Sequence, residues 1–344
     1  MRCPHCGKEL AEQARYCTEC GGLLDAQETP ARMQLPVPGT QTAEPDALVP
    51  AQDVQSPAPV AGARRRPRKG RTTFLLSMLA QVLVVAFEVV GVIVCLLLHA
   101  DESYGASLGG AVGAVVAIAL MGGISLFAVR KGVLKESLRR GWWFLVVNCG
   151  LMVFSVVDFV LDDSMTVADG WPLRTLGLFV LCLGIGVAEE GMFRGLLLHG
   201  MLDAFGRTRR RVHAVIIVTS VLFGLAHIDF ALLSVSDPMS LLQAVLKIVQ
   251  TGLLGYLLAV LTLHTKSLVG CALLHGLGDF VLMIVSIGLC GDSLDVSYVA
   301  SGSEGVETAI LYAVIIVLYI PLAVIGYRLL RNINPPQYGA FHQE

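Results

Sequence analysis

Runs of about 18 or more nearly uncharged apolar residues recur along this 344-residue chain, and each is long enough to cross the hydrocarbon core of a bilayer. That feature restricts the fold more than any other. A backbone in lipid must satisfy its own N–H and C=O groups, so such runs become helices. Eight are expected: residues 73–99, 106–128, 142–160, 173–204, 213–230, 240–263, 268–289 and 308–328. Composition agrees, with 55% hydrophobic and 15% charged residues, against about half and a quarter in ordinary soluble domains. The fold class expected is therefore all-α, a polytopic membrane helix bundle of about eight spans.

The charges are segregated. Lys and Arg collect before the first run (Arg64, Arg65, Arg66, Arg68, Lys69, Arg71) and between the second and third (Arg130, Lys131, Lys135, Arg139, Arg140). They return between the fourth and fifth (Arg207, Arg209, Arg210, Arg211), between the sixth and seventh (Lys266), and after the eighth (Arg328, Arg331). The alternate loops carry Asp101, Glu102, Asp162, Asp163, Asp169, Asp229, Asp237, Asp292, Asp295 and Glu304, with Arg174 as their one basic residue near a span end. The positive-inside rule then puts both termini in the cytoplasm of a multi-pass integral membrane protein, a bacterial cell membrane being expected. Trp142 and Trp143 on one side and Trp171 on the other read as interfacial belts.

Three segments divide the chain: 1–24, 25–72 and a membrane domain over 73–332. The first contains Cys3-Pro-His-Cys6-Gly7 and Cys17-Thr-Glu-Cys20-Gly21. Each C-x-x-C pair presents two sulfurs on one tight turn, and two such turns make the closed four-thiolate site of structural zinc. No βαβ pattern surrounds them, which argues against a thioredoxin-like dithiol. The segment resembles the zinc ribbons at the ends of many bacterial membrane proteins. A cytoplasmic protein partner suits it, whereas its few basic residues (Arg2, Lys8, Arg15) give nucleic-acid binding a weak case. Residues 25–72 hold eight of the fourteen prolines and no aromatic residue, the composition of a flexible tether. The other five cysteines are scattered through apolar sequence, so no disulfide framework is indicated.

Ionisable side chains inside spans are expensive and point to function. The fourth run reads Ala188-Glu189-Glu190-Gly-Met-Phe193-Arg194. Glu190 and Arg194, four apart, share a helix face and can pair, while Glu189 projects about 100° away. The fifth ends Phe223-Gly-Leu-Ala-His227, and the seventh contains His275-Gly-Leu-Gly-Asp279, another pair four apart. Depth arithmetic agrees only in part: Glu189 is roughly 26 Å along its helix from Gly206 and His227 roughly 24 Å from Arg211, but His275 is only about 13–14 Å from Lys266. Tilt or re-entry of the seventh helix would have to close that gap.

Taken in order, E-E-x-x-x-R, F-x-x-x-H and H-x-x-x-N/D resemble the CPBP family, also called Abi, which comprises CAAX prenyl-protein endopeptidases and bacteriocin-processing or immunity proteins. The resemblance covers about 175–285. It implies an eight-span helical core and peptide-bond hydrolysis without an acyl-enzyme. Glu189 would activate the attacking water, with Glu190 and Arg194 holding helix and electrostatics in place. His227 would bind that water or a metal, and His275 and Asp279 would stabilise the oxyanion or complete the metal shell. Asp279 stands where many relatives have Asn. An ionised Asp cannot donate a hydrogen bond, so it is a protonated acid, a metal ligand or an orienter of His275. Zinc bound by two His and one carboxylate with an open fourth position is chemically reasonable, the possible ligands being Glu189, His227, His275 and Asp279, and metal-dependent and glutamate-type catalysis both stay open.

The expected function is thus an intramembrane endopeptidase acting on a membrane-associated peptide or protein. A non-catalytic immunity or scaffold protein recruiting partners through its ribbon is the main alternative. A proton-coupled transporter is a further one, disfavoured by the lack of an evident inverted repeat. Outside the motifs, Glu88 reads as a helix-packing partner. Gln243, Lys247 and Gln250 form a polar stripe that lines a cavity or, for Lys247, snorkels outward.

Overall fold

The computed structural model describes residues 70–129, 131–162, 165–206, 208–294, 299–300, 302–331 and 341. The zinc ribbon with Cys3, Cys6, Cys17 and Cys20, and all of the 25–72 tether before Gly70, lie outside the described residues. Within the described residues the chain is all-helical, without strands. Its long helices are α1 (Gly70–Leu97), α2 (Glu102–Leu120), α3 (Val133–Leu161), α4 (Trp171–Phe205), α5 (Arg209–Leu225), α6 (Pro238–Thr265), α7 (Val269–Cys290) and α8 (Gly302–Arg331). Seven are long and apolar enough to cross a membrane. The exception is α5, a helix of 17 residues that opens on Arg209, Arg210 and Arg211.

Polar caps start several helices where the apolar runs begin. Asp101 accepts from Ser103 N, Thr208 from Arg211 N and Asp237 from Met239 N, each satisfying an N–H that a helix start leaves orphaned. Large apolar side chains face outward in numbers a water-facing surface would not tolerate, including Leu79, Leu97, Phe154, Leu161 and Val317. Lipid is the solvent that suits them, and the chain is an integral membrane protein.

Close approach of helices centres on glycines. A Cβ on Gly186 of α4 would strike the Ala272 carbonyl oxygen, and one on Gly276 of α7 would lie 2.6 Å from the Cys182 carbonyl oxygen. Only glycine at both positions lets these backbones touch. This crossing sets Glu189 and Glu190 of α4 beside His275 of α7.

Two π-helical stretches interrupt regular geometry, Gly191–Leu198 in α4 and Ile284–Cys290 in α7. The first begins immediately after Glu190, and such insertions often mark functional sites. Helix α3 starts at Val133, nine residues before the apolar run at 142, because Glu136 joins Arg139 and Arg140 in ion pairs that stabilise a polar first turn.

The depth gap at His275 narrows at the α6–α7 turn. The α6–α7 turn is sunk into the protein: Ser267 and Leu268 are fully buried, Leu268 N donates to Leu126 O, and Ser267 Oγ donates to Ala128 O. Leu268 packs in one cluster with Leu196. Leu196 lies seven residues beyond Glu189 and Leu268 seven before His275, so the antiparallel helices reach the same level. Helix α4 then runs on past Leu196 to Phe205, roughly 13 Å further, which makes Gly206 the misleading depth marker.

Candidate active site

Glu190, Arg194 and His275 form the buried floor of the site. Arg194 Nη1 donates to Glu190 Oε1 at 2.9 Å, and His275 Nδ1 lies 3.0 Å from the same oxygen. All three side chains are at most 4% exposed. One carboxylate oxygen thus accepts from two cationic or polarised donors, an arrangement that a low-dielectric interior requires of a charge.

Phe223 organises the same floor. It is fully buried, with the Arg194 guanidinium carbon 3.8 Å from its ring centroid, a separation suited to cation–π attraction. The rings of His227 and His275 meet it edge-on, at centroid distances of 4.6 and 5.8 Å. His227 Nδ1 lies 2.7 Å from Phe223 O. A carbonyl oxygen can only accept, so Nδ1 carries the hydrogen and Nε2 faces away from the helix.

Above this floor Nε2 of His227 is 3.5 Å from Glu189 Oε2, and Nε2 of His275 is 3.9 Å from the same oxygen. Asp279 Oδ2 is 3.5 Å from His275 Nε2. Glu189 Oε2 makes no hydrogen bond to the protein. All six residues singled out in the sequence therefore converge. They divide into a buried structural half (Glu190, Arg194) and a half that faces open space (Glu189, His227, Asp279), with His275 spanning both.

That space is a cavity of about 450 Å³ between α3, α4, α6, α7 and α8. Glu189, His227, His275 and Asp279 line one side, Lys247, Gln250 and Thr251 line part of the α6 wall, and Tyr312 and Tyr319 line the α8 wall. Helices α3 and α8 are joined at one end, where Trp143 Nε1 donates to Leu318 O and Tyr319 Oη donates to Asn148 Oδ1. At the other end Phe154 and Leu311 line the cavity yet remain 72% and 44% exposed, so the cavity reaches the lipid-facing surface there.

The polar stripe on α6 divides in two. Gln243 bonds both ways to the Ala300 main chain, at 2.8 Å each, whereas Lys247 and Gln250 line the cavity. Glu88 packs against α2, its Oε1 being 2.7 Å from where a Cβ on Gly110 would sit. Sequence reading missed Thr251, Tyr312 and Tyr319, because none lies at a charged or motif position and only helix rotation brings them to the cavity.

Residues 171–281 match the model of the type II CAAX prenyl endopeptidase Rce1-like family. That stretch is Rce1-like. It contains all six converging residues, and residues 2–23 match a zinc-ribbon domain. No curated protein and no solved structure matches the chain. The Rce1-like stretch covers α4 to most of α7, so the α3 and α8 walls of the cavity come from outside it.

Two imidazoles and two carboxylates are a donor set that zinc accepts. His227 and His275 each have Nδ1 engaged by an oxygen, the usual preparation of an imidazole ligand. Even so, among the described residues no group of three or more His, Cys, Asp and Glu side chains is placed to hold a metal ion.

Proposed function

We propose that the chain is an intramembrane endopeptidase in which Glu189 activates water to hydrolyse a membrane-associated peptide or protein. The observation that carries this reading is the Glu189 side chain, which lines the cavity and whose Oε2 makes no hydrogen bond and stands 3.5 and 3.9 Å from two imidazole Nε2 atoms. A general base needs such access to the proton it removes. The Rce1-like match supports it independently.

The steps use the chain's own side chains. Water held by Glu189 and His227 loses a proton to Glu189 as its oxygen bonds to the substrate carbonyl carbon. The resulting oxyanion takes a hydrogen bond from His275 Nε2–H, the ring acting as an imidazolium whose other hydrogen, on Nδ1, goes to Glu190. Glu189 then returns the proton to the departing nitrogen as the C–N bond breaks, leaving a carboxylic acid and an amine. Cleavage of internally quenched peptides in detergent, one ending in a prenylated CAAX box and others apolar and unprenylated, tests the reading. Comparison of membrane-protein termini in cells with and without the intact gene would identify the substrate.

Asp279 separates the two chemical versions. If it orients or donates, Asp279→Asn keeps or raises activity, since Asn can donate as well as accept. If it is a ligand to a catalytic zinc held with Glu189, His227 and His275, activity and bound metal fall together in that variant, and chelators inactivate the wild type.

The ribbon and both termini are proposed to face the cytoplasm, with Cys3, Cys6, Cys17 and Cys20 on one zinc. A membrane-impermeant maleimide should leave these thiols unlabelled in intact cells. It should also leave them unlabelled after permeabilisation, until a chelator is added. Labelling in intact cells would overturn the topology, and labelling on permeabilisation alone would overturn the metal site.

A further inference from the structure

Lys247, Gln250 and Thr251 occupy one stretch of α6 facing the cavity that holds Glu189, His227, His275 and Asp279. Two atoms there are anomalous. Gln250 Oε1 and Thr251 Oγ1 are both buried and make no hydrogen bond, and Thr251 is only 6% exposed. Buried polar atoms are nearly always paired, and an orphan requires a reason. Gln243, two turns earlier on the same helix, supplies the contrast, since both of its amide atoms are satisfied by the Ala300 main chain. Gln243 therefore accounts for itself structurally and Gln250 does not.

We propose that Gln250 and Thr251 form a main-chain-binding wall for an extended substrate segment in the cavity that the catalytic groups line. A peptide crossing from lipid must unwind to expose a scissile bond, and unwinding frees N–H and C=O groups that hydrocarbon cannot satisfy. The Gln250 carbonyl oxygen accepts a hydrogen from a substrate N–H. The Thr251 hydroxyl donates to a substrate carbonyl or accepts from the next N–H. Main-chain recognition of this kind tolerates varied side chains, which suits a cavity whose remaining lining includes Leu151, Phe154, Leu282, Met283 and Leu311. The substrate class is therefore an apolar peptide segment bound in extended form and read by its backbone.

This inference rests on the peptidase reading, but its test does not need turnover. Binding of a fluorescent, unprenylated 20-residue apolar peptide is measured in detergent on Glu189→Gln protein, with Gln250→Leu and Thr251→Val added singly and together. Each substitution should weaken Kd by about threefold to tenfold, and Thr251→Ser should restore it. Melting temperature should hold or rise, because an apolar replacement removes an unsatisfied buried atom. A peptide N-methylated at successive positions should lose affinity at one of them for the parent protein and lose nothing there for the Gln250→Leu protein. Unchanged Kd in the double variant, or a fall in melting temperature with Kd intact, would overturn the wall. If these binding effects appear while wild-type protein cleaves no peptide, the wall stands and the peptidase reading fails.

Discussion

Glu189→Gln should lower hydrolysis by about 10²–10⁴-fold while leaving the folded protein intact. Gln nearly matches Glu in volume, and Glu189 Oε2 makes no hydrogen bond that the change would break. The neighbouring Nε2 atoms stand at 3.5 and 3.9 Å, beyond direct hydrogen bonding, so neither imidazole loses a structural partner. His227→Ala should be comparably damaging, because it removes the other group facing the attacking water. The double variant should be no slower than the worse single one, since members of one catalytic unit do not contribute additively. The measurements are kcat/KM on the quenched peptides and the melting temperature of each purified variant. Full activity in Glu189→Gln protein would end the proposed mechanism and favour a scaffold that recruits partners through its zinc ribbon.

Arg194→Ala is the substitution expected to cost most stability, about 3–5 kcal/mol. Glu190 is fully buried, and Arg194 supplies one of its two hydrogen bonds. Removing the guanidinium leaves a carboxylate in a low-dielectric interior with a single imidazole partner, and it strips the Phe223 face of its cation. His275 would then lose its fixed orientation, so activity should fall with stability. Replacing both Glu190 and Arg194 with Met should cost less than the two single changes added together, because no uncompensated charge remains. Thermal unfolding in detergent distinguishes the cases. An Arg194→Ala protein that melts with the wild type would show that the pair does not hold the floor of the site.

Much of the site is readable as spacing. Glu190 with Arg194, Phe223 with His227 and His275 with Asp279 are each four apart, and that interval alone places both members on one helix face. The apolar runs likewise reveal the helices, because a bilayer admits little else. What spacing omits is the relation between helices. That Glu190 Oε1 serves Arg194 and His275 together depends on the Gly186–Gly276 crossing. The depth of His275 was misjudged because Lys266 and Gly206 were treated as lying at one level, whereas the α6–α7 turn is sunk against Leu126 and Leu196. Thr251 and Tyr319 carry no charge and belong to no motif, so only the rotation of α6 and α8 identifies them as cavity residues.

By itself, then, the sequence determined the helical class, the approximate spans and the residues that share a helix face. These follow from local quantities: run length against bilayer thickness and side-chain position against helical period. The tertiary structure alone decided that His275 joins Arg194 on Glu190 Oε1 and that Glu189 lines a cavity walled by α3, α6 and α8. It also decided how deep the turns lie and which uncharged residues of α6 and α8 complete the cavity. Those outcomes depend on axial rotation, crossing and offset of whole helices, which are set by close packing at glycines and by the pairing of buried polar groups across the bundle.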